Sequence, residues 1–396
     1  MKNYNSCYLS ESKSCINSFF LFDCVNCQDC FMGSNLRNKR YVFRGQQLSK
    51  EKYIEKIKNE NIGSYFYIQE LKREFNLLKM NSLHKYADIT NSINVTGNHV
   101  INSKNVKNSY FTTDGENVSE SMRTPGVKDL SDCIYIAGSE FLYSSAACSL
   151  GSYHLRNTMY SNGSKNSDYS FLCINCDNVF GCVGLKNKQY CIFNRQYTKD
   201  EYFELIEEIK NNMQLHPYID KIGRIYTYGE FFPSELSPFS YNETVARDFF
   251  PLSEEEVFKQ GFIPLEIKKR SYNITKTAND LPDNINEVSE DIINEVIECG
   301  HKGECYDQCN IAFRILKDDL QFYKKMNIPL PRLCPNCRHY DRLLYRLPSK
   351  LWHRQCMCDK KNHDHEDKCR IEFETSYAPD KPEIVYCEKC YQKEVY

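Results

Sequence analysis

Apolar residues recur along the first half of this chain at a spacing that no helix uses. Val106, Val118, Leu130 and Leu142 stand twelve apart, and each is followed three positions later by a small residue: Ser109, Ser121, Cys133 and Ser145. The rhythm resumes at Leu155 with Thr158 and at Val179 with Cys182. With Asn, Ser, Asp and Gly at the corners, it predicts stacked short strands, a β-solenoid or β-helix in which each strand covers its neighbour. Helical spacing takes over elsewhere. Thr198 and Glu201 form a capping box ahead of Phe203, Ile206 and Ile209. Ser49 opens a similar run through Ile54 and Ile57, a further helix is expected from Ile68 to Met80, and Ser253 with Glu256 starts another before Val257 and Phe258.

The solenoid expectation gains weight from a duplication. The segment from Cys24, CVNCQDCFMGSNLRNKRYVFRGQQLSKEKY, aligns without a gap on the one from Cys173, CINCDNVFGCVGLKNKQYCIFNRQYTKDEY, at an offset of 149 with eleven identities in thirty positions. Both copies then run into a helix, so the reading is a duplicated Cys-rich solenoid with helical caps over residues 1–215. Within it Cys24, Cys27, Cys30, Cys173, Cys176 and Cys182 fit inward positions of a stack, where small thiols pack well. From Tyr226 to Gly261 the sequence is rich in Pro and Phe, too apolar for a solvated linker. Residues 216–286 are therefore expected to be an ordered aromatic and acidic connector.

Composition narrows the function classes without naming one. At 396 residues with a net charge of −2, the chain as a whole exerts no strong pull on nucleic acid or anionic membrane. Charge is unevenly placed: Glu230 to Glu298 holds 15 acids against 6 bases, and Cys299 to Tyr396 holds 18 bases against 15 acids. A solvated helix over Glu287 to Glu298 would account for the acidic part. No apolar stretch has the length of an export signal or a membrane span, which points to a cytoplasmic protein without a membrane partner. In that compartment 21 cysteines read as thiols and metal ligands rather than as disulfides.

The clearest chemistry lies in residues 287–396, read as a multi-zinc ribbon domain. Its ten cysteines include the close pairs Cys305/Cys309, Cys334/Cys337, Cys356/Cys358 and Cys387/Cys390, with Cys299 and Cys369 single and His301, His363 and His365 nearby. Spacings of two to four residues let two side chains turn back on one ion. Two or three Zn2+ are expected. Reach favours one site of Cys299, His301, Cys305 and Cys309; a second of Cys334, Cys337, Cys387 and Cys390; and a third of Cys356, Cys358, Cys369 and His363 or His365. A competing scheme joins Cys305/Cys309 to Cys334/Cys337, and Cys356/Cys358 or Cys369 to Cys387/Cys390. Filled thiolate and imidazole shells are structural by default.

The runs NIPLPRLCPNCRHYDRLLYRLPSKLWHRQCMC and CRIEFETSYAPDKPEIVYCEKCYQKEVY resemble the C-terminal zinc-ribbon region of uncharacterised proteins from small-genome, uncultivated bacteria of the candidate phyla radiation. ECYDQCNIAFRIL, GEFFPSELSPFSYNETVARDFFPLSEEE and NCDNVFGCVGLKNKQYCIFNRQYTKDEY are similar to the same family. The resemblance implies a zinc-binding protein and brings no activity with it.

Around Cys334 and Cys337 the bases Arg338, Arg342, Arg346, Lys350 and Arg354 are interleaved with Tyr340, Tyr345 and Trp352. The first three are four apart and would share one helix face. Guanidinium groups beside aromatic rings suit phosphate contact and base stacking, so RNA or DNA is the expected partner of the tail. A protein-interaction scaffold using the solenoid surface is the alternative. A metal-dependent nuclease built on His363, Asp364, His365 and Glu366 is a third, weaker reading, because KKNHDHEDK reads as a polar loop with a structural ligand in it.

Overall fold

A computed structural model describes residues 2–118, 125–131, 140–145, 148, 151–266, 271–305 and 308–396. Ser121 and Cys133 of the twelve-residue rhythm lie outside them. The chain is mixed α/β with many short strands. The strands Cys7–Ser10, Phe19–Phe22, Phe31–Ser34 and Val42–Phe43 run parallel in one sheet, closed off by the antiparallel Gln46–Gln47. A second, longer sheet runs from Ile89–Thr90 to Arg195–Gln196. Parallel partners stand twelve residues apart through most of both: Leu9 faces Leu21, Leu21 faces Gly33, Val118 faces Leu130, and Leu130 faces Leu142. The sequence rhythm is thus the pairing register itself. Only Leu142 to Leu155 adds a residue among these apolar partners, with a step of thirteen.

The local cause is a backbone that turns every third residue. From Asn5 to Arg44 each third residue is left-handed, with φ between 47° and 59°. For an L-residue that conformation costs about 1–2 kcal/mol, least for Asn and Asp. Asn side chains twelve residues apart pair at these corners: Asn5 donates to Asn17 at 2.8 Å and Asn26 to Asn38 at 2.7 Å. Between corners, every third side chain from Ser12 to Cys30 is buried, and beside Leu21 these are small Ser or Cys able to hydrogen-bond. Ser12 Oγ donates to the carbonyls of Ser10 and Leu21 and accepts from the Cys24 amide. Cys24 Sγ takes the same place one step on, against the carbonyls of Phe22 and Gly33. Backbone groups left over by the turns are satisfied from inside.

The duplication is structural. The hairpin pairs Val42 with Gln47 and, 149 residues on, Cys191 with Gln196. Helices follow at Lys50–Lys58 and Lys199–Leu215, capped by Ser49 and Thr198, the latter in the expected capping box with Glu201. A further helix, Tyr65–Met80, buries Ile68, Leu71 and Phe75, a three-and-four spacing that packs one face against Phe20 and Phe31 of the first sheet.

The connector touches both neighbours. Tyr228 donates to Asp168 at 2.9 Å on the second sheet, and Phe249 lies 3.8 Å beneath the Arg346 guanidinium of the tail. No solvated α-helix occupies Glu287 to Glu298. Two 3-10 turns, Ile285–Glu287 and Glu290–Asn294, stand there instead, because Ile285, Val288, Ile292 and Ile297 are all needed in the tail's core. The tail docks beside the first sheet: Ile384–Tyr386 pairs in parallel with Leu83–Lys85 in a separate two-stranded sheet, and Arg37 donates to the Tyr391 hydroxyl at 2.6 Å. Among the described residues no helix is long and apolar enough to cross a membrane.

Candidate metal centres

Each cysteine cluster of the tail is assembled by a β-hairpin and a helix. In the first, the strands Ile297–Glu298 and Ala312–Phe313 pair antiparallel and deliver Cys299 and Cys309, while Cys334 caps the helix Pro335–Leu343 and Cys337 lies in its first turn. The four sulfurs form one group. Cys299 Sγ is 3.8 Å from Cys337 Sγ, which is 3.5 Å from Cys334 Sγ, and Cys334 Sγ is 3.9 Å from Cys309 Sγ. A tetrahedral ion with zinc–sulfur bonds of about 2.3 Å holds its sulfurs about 3.8 Å apart, so these spacings are those of a shell. The second cluster gathers Cys356, Cys369, Cys387 and Cys390 in the same way, from the hairpin Trp352–Gln355 with Glu372–Thr375 and the helix Glu388–Val395. The tail therefore carries cysteine groups able to hold metal ions.

Electrostatics prepare both clusters unevenly. Burial pushes the Cys299 thiol up to about 11 and the Cys356 thiol up to about 12. Burial also opposes ionisation of Cys334, but amides of Cys337 and Asn310 outweigh it and hold that thiol below its usual value. Cys369 is likewise lowered against burial, by the Ile371 amide and neighbouring thiols. In each cluster one thiol is thus shifted toward the thiolate, the form that binds metal.

Two further groups adjoin the first two. His301 and Cys305 meet Cys337, and Cys358, His363 and His365 meet Cys390. All thirteen expected ligand residues fall in these four groups, but the favoured partition does not. Cys334 and Cys337 do not join Cys387 and Cys390, since each helix closes on its own hairpin. Cys299 and Cys309 separate from His301 and Cys305, and Cys356 and Cys369 separate from Cys358. The competing scheme comes closer, with Cys309 beside Cys334 and Cys337, and Cys356 and Cys369 beside Cys387 and Cys390. In the suggested nuclease cluster, His363 and His365 face thiols, and Asp364 is paired with Lys393 at 2.5 Å.

No protein family, curated protein or solved structure matches this chain.

The expected basic face is only partly assembled. The helix ends at Leu343, so Arg346 leaves the shared face and stacks on Phe249 instead. Lys350 lies over Trp352, and Arg354 reaches the carbonyls of Ala378 and Glu383. Arg338 and Arg342 remain, and they line a cavity of about 830 Å³ with Lys72, Arg73 and Lys79 from the helix Tyr65–Met80. Arg332 lines it too, but its guanidinium is tied to the carbonyls of Leu281 and Pro282. Tyr8, Tyr65, Tyr323 and Tyr345 supply rings, and Asp341 is the acid among the lining residues. Lys72, Arg73 and Lys79 were not singled out by the sequence reading. Lys72 and Lys79, seven apart and so on one helix face, were the available signal. Another cavity, of about 800 Å³ beside the helix Lys199–Leu215, is charge-balanced by the Arg156–Asp168 pair.

Proposed function

We propose that this chain is a zinc-binding modular protein that recognises single-stranded nucleic acid, with the metal holding the tail in shape and no catalysis of its own. The observation that carries the reading is the groove between the helices Tyr65–Met80 and Pro335–Leu343, with six basic side chains and one acid on a wall of tyrosine rings. Clustered cations compensate phosphates, and rings offer sequence-tolerant stacking to unpaired bases. Arg338 donates to the Tyr323 hydroxyl at 3.1 Å, which holds its guanidinium against the groove wall. Zinc follows from the donors: thiolate and imidazole in tetrahedral spacing suit it better than hard cations. The twelve-residue offset supports a β-solenoid for each sheet, one coil per twelve residues, and the two knuckles support zinc ribbons. Free thiols at all twenty described cysteines suit the cytoplasm.

The test is anisotropy of labelled single-stranded RNA and DNA against the zinc-loaded protein. Lys72→Glu and Arg342→Glu are expected to weaken binding at least about tenfold each and to flatten its salt dependence. Affinity unchanged by both substitutions would reject the groove and favour the scaffold reading.

A further inference from the structure

The two metal clusters repeat one another residue by residue. Glu298 faces Ala312 in the first hairpin, and Gln355 faces Glu372 in the second. Cys299 and Cys356 come one residue after the first strand, while Cys309 and Cys369 come three before the second-strand partner. The Cys299 amide donates to the Ile311 carbonyl at 2.7 Å, and the Cys356 amide to the Ile371 carbonyl at 2.9 Å. Cys334 and Cys387 cap their helices with the same backbone, φ −63° and ψ 164° against φ −64° and ψ 164°. Each gives its amide to a hairpin sulfur at 3.2 Å, Cys334 to Cys299 and Cys387 to Cys356. Cys337 and Cys390 then occupy the same place in the first turn.

That third equivalence matters because these two cysteines each belong to a second group. Cys337 Sγ lies 3.5 Å from Cys305 Sγ, and Cys390 Sγ lies 3.5 Å from His365 Nε2. Two residues after the first hairpin cysteine stands another donor in both copies, His301 or Cys358, and the hairpin loop provides the rest, Cys305 in one and His363 with His365 in the other.

We propose that each repeat holds a pair of zinc ions joined by one thiolate, Cys337 in the first and Cys390 in the second, so that thirteen side chains bind four ions. This rests on reading the four-cysteine groups as metal sites and adds a second ion to each. The imidazoles bear it out independently of the thiols. His301 Nδ1 is buried with no hydrogen-bond partner, as a donor atom waiting for a metal would be. His363 turns Nδ1 to Cys358 Sγ at 3.1 Å and gives Nε2 to Glu394 at 3.0 Å. A carboxylate on the outer nitrogen is how metal-binding histidines are commonly oriented. Sharing also settles the charge, since five thiolates against two dications leave each repeat with one negative charge. The second ion of the first repeat has three ligands among the described residues, and that of the second repeat has four.

The experiment is zinc content of the full chain by elemental mass spectrometry, followed by 113Cd NMR after cadmium exchange. Four ions per chain are expected, and four cadmium resonances coupled in two pairs, since only a shared sulfur transmits that coupling. His301→Ala and His363→Ala leave the four-cysteine groups intact, and each should lose one ion and one coupled pair. Two ions per chain would overturn the bridge while preserving the four-cysteine sites. No bound zinc would overturn both. Three ions, or four uncoupled resonances, would also overturn the proposal.

Discussion

Cys24 in the first sheet and Cys334 in the tail are both completely buried, yet they do opposite things. Cys24 Sγ lies 3.3 Å from the Phe22 carbonyl and 3.7 Å from that of Gly33, with the Cys27 thiol beside it but, among the described residues, no four-sulfur group around it. Cys334 makes its contacts to other sulfurs and to amides that favour its thiolate. The Ser and Cys side chains of the stack each face carbonyls two residues back and nine ahead, and neighbouring thiols such as Cys24 and Cys27 touch without converging four at a time, so a thiol there is a small donor that fills space. A hairpin meeting a helix end instead aims four side chains at one point. Burial alone therefore says nothing of a cysteine's chemistry; the direction in which its neighbours point decides it.

Serine substitution separates the two kinds most sharply. Cys334→Ser removes a ligand, and since structural zinc contributes about 10 kcal/mol or more in small domains, the tail should lose bound metal and more than about 3 kcal/mol of stability. Cys24→Ser should cost no more than about 1 kcal/mol, because Ser12, Ser18 and Ser164 already make the same carbonyl contacts elsewhere in the stacks. Denaturant melts with zinc content measured alongside check both. Equal costs would erase the distinction.

Acid gives a smaller contrast. Asp88 hydrogen-bonds the His99 ring at 3.2 Å and lies 3.6 Å from Lys13, and these hold its carboxyl down at about 2. A depressed carboxyl stabilises the fold fully above its unfolded value near 3.8 and loses that contribution as pH falls through about 2. Its share is about 2 kcal/mol, and Asp88→Asn should flatten the stability curve in that window. The tail should respond at higher pH, where protons displace metal from histidine and thiolate. Thermal melts between pH 7 and pH 2 with the metal monitored would show two separate steps; one shared step would contradict this.

Much of this was legible in the sequence, and the rest was hidden for definite reasons. The twelve-residue rhythm could be read because it is the register of parallel pairing, and the 149-residue duplication because whole side-chain sets recur. The three-residue corner was harder to see. Asn marks it at positions 5, 17, 26 and 38, but Tyr8, Phe20, Met32 and Tyr41 hold the same left-handed backbone with nothing in their type to say so. All thirteen residues of the four candidate metal groups could be named from spacing, but their partition could not. Cys334-Pro-Asn-Cys337 and Cys387-Glu-Lys-Cys390 are interchangeable knuckles until each helix is seen closing on its own hairpin. The basic run around Cys337 was visible, whereas the end of its helix at Leu343 and the bases contributed by Lys72, Arg73 and Lys79 depend on tertiary packing.

The most direct test of the contrast is cysteine alkylation mapped by mass spectrometry on the native protein, with zinc present and after chelation. The account predicts that the ten tail cysteines are protected with zinc and react together once it is removed, while Cys15, Cys24, Cys27, Cys30, Cys173, Cys176 and Cys182 stay protected in both states. Tail cysteines indifferent to the chelator, or stack cysteines exposed by it, would contradict it.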